Sequence, residues 1–126
     1  MTARFLIDAD CAIYAMEAAY PALRERLSQC APGEVGLSAV SFAEVALGAA
    51  LGKPPPPDVL DAFLRAIPIV PFDEPAARAY ARLPFKRARF DRLLAAHALS
   101  LGATVITHNI ADFADIAAVA TEDWTE

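Results

Sequence analysis

Short apolar runs alternate along this chain with longer stretches whose apolar residues recur at helical spacing. Phe5-Leu6-Ile7, Glu34-Val35-Gly36-Leu37, residues 67–72 and Thr104-Val105-Ile106-Thr107 have the length and content of strands. Ala118-Val119-Ala120-Thr121 is a last edge strand by the same reading. Pro68 and Pro71 lie in the third run, and proline cannot donate to a ladder, so that run also belongs at an edge. Between these runs the pattern predicts helices. Residues 11–17 follow Asp10 as N-cap, residues 21–29 open on Pro21 in the first turn, and residues 42–48 follow Ser41, which is spaced from Glu44 as a capping box. Asp58 is placed to cap residues 59–66, and Asp73 to cap a helix through residue 83. Residues 90–99 form a strong helix ended by Gly102, and a short helix follows the fourth strand. Pro32-Gly33 is a turn, and the proline run 54–57 is a stiff connector too short to divide the chain. Strands alternating with helices predict a single α/β domain, residues 1–126, with a parallel sheet covered on both faces.

Composition supports one core. The chain has 126 residues, 56% of them hydrophobic, and its 21% charged fraction is against disorder. No stretch approaches the roughly 18 apolar residues of a membrane span, and the apolar run at the start breaks after Ile7. The expectation is a soluble, cytoplasmic protein. Cys11 and Cys30 read as small core residues, and two cysteines with two histidines and no CxxC do not make a structural zinc site. The net charge of −5 is against a generic nucleic-acid binder. Four carboxylates committed to a cation would leave the remainder at −1, which a local arginine patch can offset.

The acids change the picture. In an open parallel sheet ligands bind at the carboxyl edge of the strands, and Asp8 ends the first strand there. Glu44, in the helix after the second strand, reaches the same edge. So do Asp91, in the first turn of the helix that feeds the fourth strand, and Asp112, just beyond that strand. Each could be a cap or a helix-dipole partner. Together they would repel one another unless a cation binds. Oxygen ligands without His or Cys suit Mg²⁺ or Mn²⁺, which serve phosphoryl chemistry.

These residues resemble a known family. Phe5-Leu6-Ile7-Asp8-Ala9-Asp10 resembles the opening motif of PIN domains. The stretches 38–48 around Glu44, 90–98 from Phe90-Asp91, and 107–113 ending in Asp112-Phe113 resemble the next three motifs in order, and Glu122-Asp123-Trp124 matches a common ending. The chain is thus similar to VapC-type PIN-domain toxin ribonucleases of bacterial toxin–antitoxin pairs. The resemblance implies a three-layer α/β/α sandwich with strand order 3-2-1-4-5 and Mg²⁺- or Mn²⁺-dependent cleavage of RNA, often tRNA or another structured RNA. It also implies a homodimer held inactive by a cognate VapB-like antitoxin. It assigns Asp8, Glu44, Asp91 and Asp112 as catalytic acids, with Asp8 and Asp91 as direct metal ligands. Asn109 and Asp115 are the other residues near the fourth acid position, and Asp10 and Ala9 replace the usual Asn and Thr.

Other residues have lesser roles. Lys86, Arg87, Arg89 and Arg92 are either a solvated face or phosphate contacts. His97 reads as packed and hydrogen-bonded, His108 as a contact for substrate or antitoxin, and Thr107 as a partner of an acid or of the attacking water. Two rival functions fit parts of the pattern. One is a PIN-like binding module without catalysis. The other is a haloacid-dehalogenase-like phosphatase with Asp8 as nucleophile, which needs a lysine on the phosphate; Lys53 and Lys86 are the only lysines.

Overall fold

The computed structural model describes residues 2–84 and 90–126. The elements run β1 (Phe5–Ile7), α1 (Ala9–Glu17), α2 (Pro21–Ser28), β2 (Val35–Ser38), α3 (Ala39–Ala50), α4 (Pro57–Ala66), β3 (Ile69–Val70), α5 (Glu74–Ala81), α6 (Phe90–Leu101), β4 (Thr104–Ile106), a 3₁₀ turn (Ile110–Phe113) and β5 (Ala120–Glu122). The five strands form one sheet in the order β3-β2-β1-β4-β5, every pair parallel. This is the strand order that the family resemblance implied. The last strand falls two residues later than the apolar run at 118–121 suggests, and the third is only two residues long.

Strand alternation builds the three layers. Phe5 and Ile7 point to one face with Val35, Leu37 and Ile106, and meet Cys11, Ala12 and Ala15 of α1, Leu23 of α2, and Phe63 and Leu64 of α4. Trp124 closes this face, 1% exposed, edge-on to Phe5 at 4.9 Å. Leu6 and Val105 point to the other face, against Leu94, Ala95 and Ala98 of α6, with Phe113 and Ile116. Alanines on α6 let it lie close to the sheet, and β1, in the centre, is buried on both sides. Among the described residues no helix is long and apolar enough to cross a membrane.

Three helix starts differ from the sequence expectation. Asp8, not Asp10, is the N-cap of α1, its carboxylate accepting from the Cys11 amide at 2.8 Å. Ser38, not Ser41, caps α3, its hydroxyl accepting from the Val40 amide at 3.1 Å. Ser41 and Glu44 therefore lie inside the helix and form no capping box. Helix α4 begins at Pro57 behind Pro56, with Asp58 inside its first turn. Asp73 caps α5 as expected, 3.2 Å from the Ala76 amide.

Candidate active site

Because all strands are parallel, β1, β2 and β4 end at one edge, and the acids gather there. Asp8 follows Ile7 directly; its amide donates to the Ile106 carbonyl at 3.0 Å, so the ladder itself fixes its position. Asp10 projects from the first turn of α1, Glu44 from the second turn of α3, and Asp91 from the first turn of α6. Asp8, Asp10, Glu44, Asp91, Asn109 and Asp112 all line one cleft of about 60 Å³, with Ser41, Phe90 and Leu94 completing its walls. The four acids assigned from sequence thus share one space. Asp10 joins them as a wall of the cleft. Ser41 is a residue that sequence reasoning missed as a site member; its signal was its place one turn before Glu44, on the same helix face.

The electrostatics follow from this crowding. Glu44 has its pKa pushed up to about 7, first by burial and then by the charges of Asp91, Asp10 and Asp8. Asp8, 9% exposed, is also raised by burial, against hydrogen bonds from the Thr107 hydroxyl and the Cys11 amide that favour its charged form. Thr107 therefore serves an acid, one of the two roles its position suggested. Its oxygen also accepts from the Asn109 amide at 3.0 Å, which ties the loop after β4 to the cleft. The Cys11 thiol is pushed up by burial and by Asp8, so it stays protonated.

Among the described residues no three acidic, histidine or cysteine side chains stand within ligating reach of a common point; the carboxylates ring the cleft and do not form a closed cage. An oxygen-only donor set, with proton uptake raised by like charge, is chemistry that a hard divalent cation satisfies.

The structure separates the fourth-acid alternatives. Asn109 and Asp112 both line the cleft, and Asp115 does not. The Asp115 carboxylate instead accepts from Arg92 Nη1 at 3.1 Å, while Arg92 Nη2 donates to the Pro84 carbonyl at 2.7 Å. Arg92 is 5% exposed. It is a buried strut from α6 to the segments on either side, which corrects its reading as a phosphate contact. Lys86, Arg87 and Arg89 lie outside the described residues. His108 does not line the cleft. Its Nδ1 lies 3.1 Å from Asp123 Oδ2 and 2.9 Å from Thr125 Oγ1, and its ring packs against Tyr14 and Tyr20. Lys53 lies beyond the end of α3 and is not among the residues of the cleft, which leaves the phosphatase alternative without a placed lysine.

An α/β/α sandwich with carboxylates at the edge of its central strands defines a class, and sequence comparison identifies it. The PIN domain pattern matches residues 5–119: the chain belongs to the PIN domain family. Among its relatives is a protein of Shigella flexneri described as tRNA(fMet)-specific endonuclease VapC, 27% identical, with 97% of this chain and 98% of that one aligned. Among solved structures it is similar to VapBC-1 from nontypeable Haemophilus influenzae, at TM-score 0.76 and 26% identity over 97% of this chain and 98% of that one. The fold also matches VapBC2 from Rickettsia felis bound to a DNA fragment from their promoter, at TM-score 0.81 and 22% identity over 95% and 98% of the two chains.

Proposed function

We propose that the chain is the toxin of a toxin–antitoxin pair, a Mg²⁺- or Mn²⁺-dependent endoribonuclease that cuts RNA, with tRNA as the first substrate class to test. The observation that carries this reading is the raised pKa of Glu44, set by burial and by three neighbouring acids in one cleft. A cluster whose own negative charge and burial raise its proton affinity is a cluster that a divalent cation relieves. Asp8 and Asp91 would hold the cation. Glu44 and Asp112 complete the acid ring, Thr107 orients Asp8 through its hydroxyl, and Asn109 offers an amide to the substrate. The cation, when bound, would supply activation of water and neutralisation of charge on the attacked phosphate. The chain's own residues hold the acids around one cleft, walled on one side by Leu94. The PIN fold and the name of the Shigella flexneri relative support nuclease chemistry. The VapBC neighbours support a cognate antitoxin as partner; the homodimer rests on the family resemblance. Leu47 on α3 and Leu51, its C-cap, 60% and 66% exposed, are apolar surface that such protein contacts would cover.

The test is hydrolysis by refolded, antitoxin-free protein. Incubation with a tRNA pool and Mn²⁺ is expected to give discrete cuts that EDTA abolishes and that Asp91→Asn lacks. Intact RNA with folded wild-type protein and Mn²⁺ would support the non-catalytic module instead.

A further inference from the structure

His97 is fully buried in the middle of α6. Its Nδ1 lies 2.8 Å from the hydroxyl of Ser38, the residue that ends β2 and caps α3. That hydroxyl already accepts from the Val40 amide. It has one proton to give, and in this buried place the imidazole is the partner that takes it. Ser38 therefore donates to Nδ1, and the ring carries its own proton on Nε2. Nε2 makes no hydrogen bond within normal geometry among the described residues, and the Pro71 backbone and Asp73 only partly offset the burial that lowers the ring's proton affinity. The opposite tautomer would leave the serine proton without an acceptor among the bonds that Ser38 makes. Phe72 packs edge-on against the ring, centroids 5.4 Å apart, and holds its plane.

The position of this bond along the two helices gives it a consequence. Glu44 lies six residues after Ser38 on α3, and Asp91 lies six residues before His97 on α6. The two acids line one cleft and α3 packs against α6, so the Ser38–His97 bond joins the same two helices that carry Glu44 and Asp91. Each acid is about 9 Å along its helix from the bond. A slip of α3 against α6 at Ser38 would carry Glu44 past Asp91 by the same amount.

We propose that His97 is a positioning residue: by accepting the Ser38 proton at Nδ1 it pins the register of α3 against α6 and so sets the separation of Glu44 and Asp91. The effect on cation binding rests on the reading of the cleft given above; the effect on register does not.

The test uses the full chain, three substitutions at His97, Ser38→Ala and the double variant Ser38→Ala/His97→Leu. Asn at 97 presents an acceptor where Nδ1 stands, Gln reaches the Nε2 position, and Leu keeps bulk alone. Calorimetric titration with Mn²⁺ is expected to show wild-type affinity restored or nearly so in His97→Asn, and losses of roughly ten- to a hundredfold in His97→Gln and His97→Leu. Ser38→Ala is expected to lose as much as His97→Leu, and the double variant no more than either. Wild-type affinity in folded His97→Leu, or equal losses in Asn and Gln variants, would overturn the proposal. Two readouts need no cation. Side-chain ¹⁵N spectra of the wild-type protein at neutral pH are expected to show Nε2 protonated and Nδ1 bare, and the reverse overturns it even if every variant fails to fold. Crystal structures of the Leu and Asn variants are expected to show the Glu44–Asp91 separation changed in the first and restored in the second. A wild-type protein that binds no Mn²⁺ but passes these two tests would sink the nuclease reading and leave the register role standing.

Discussion

At the residue scale Asp8 does two jobs with one carboxylate. It caps α1 through the Cys11 amide and lines the cleft. Asn caps a helix about as well as Asp, while Ala loses about 1 kcal/mol. Asp8→Asn should therefore leave the metal-free protein as stable as wild type or more so, since it removes a buried charge among acids. Asp8→Ala should melt roughly 3–5 °C below the Asn variant. Differential scanning calorimetry in EDTA checks the order, and an Asn variant less stable than the Ala variant would contradict the dual role. Glu44 gives a pH signature. Its folded pKa is raised from 4.5 to about 7, so its protonated form favours the fold. That contribution is full below pH 4.5 and is lost as pH rises through 7. Because Glu44 is half-buried, solvent screening reduces the effect to about 1 kcal/mol. His97 works in the opposite direction, its pKa lowered by burial, so its contribution is lost as pH falls below 6.5. The Glu44 effect is therefore read by difference. Urea unfolding of the metal-free protein at pH 5 and pH 8 should show wild type losing stability relative to Glu44→Gln at the higher pH.

At the element scale the strands and helices were readable from spacing, and their starting caps were not. Any Asp or Ser just before a helical pattern satisfies the cap rule, and Asp10 and Ser41 both did. What decides is where the ladder stops. The chain passes from β1 to α1 and from β2 to α3 with no loop between, so the caps fall at Asp8 and Ser38, two or three residues earlier. Three residues separate β3 from α5, and there Asp73 behaves as the pattern predicts. Side-chain reach was equally invisible: Arg92 reads as part of a basic surface, but its length lets it turn inward to Asp115 and Pro84. The sheet carries a testable close approach. Gly36 pairs with Leu6 in the central ladder, and a Cβ there would collide with Val70 Cγ2 of the neighbouring edge strand. Gly36→Ala should cost about 1–3 kcal/mol. The double variant Gly36→Ala/Val70→Ala should recover part of it, since the second change removes the methyl that the first one meets. Denaturant midpoints of the three variants check this, and additive losses would contradict it.

At the scale of the whole molecule, topology converts four distant stretches of sequence into one site. The parallel order puts every strand's carboxyl end at one edge, which is why Asp8, Glu44, Asp91 and Asp112 could be grouped before any contact was known. The choice between Asp112 and Asp115 could not be made that way, because it turns on where the short 3₁₀ turn ends: Asp112 lies inside it and on the cleft, and Asp115 lies beyond it, on Arg92. The same convergence makes the site a stability term for the entire fold. A ligand that binds only the native state stabilises it by an amount set by its concentration over its dissociation constant, about 2.7 kcal/mol at a hundredfold excess. A cation bound in the cleft would also relieve repulsion among acids held by α1, α3 and α6, elements that the unfolded chain does not bring together. Mn²⁺ at saturating concentration and pH 7.5 should therefore raise the melting temperature by roughly 5–10 °C. The rise should shrink toward pH 5.5, where protons hold Glu44 and compete for the cleft, and it should vanish in Asp91→Asn. NaCl at matched ionic strength separates site binding from screening. If NaCl alone reproduces the whole gain, the acids repel but do not ligate, and the cation site is refuted.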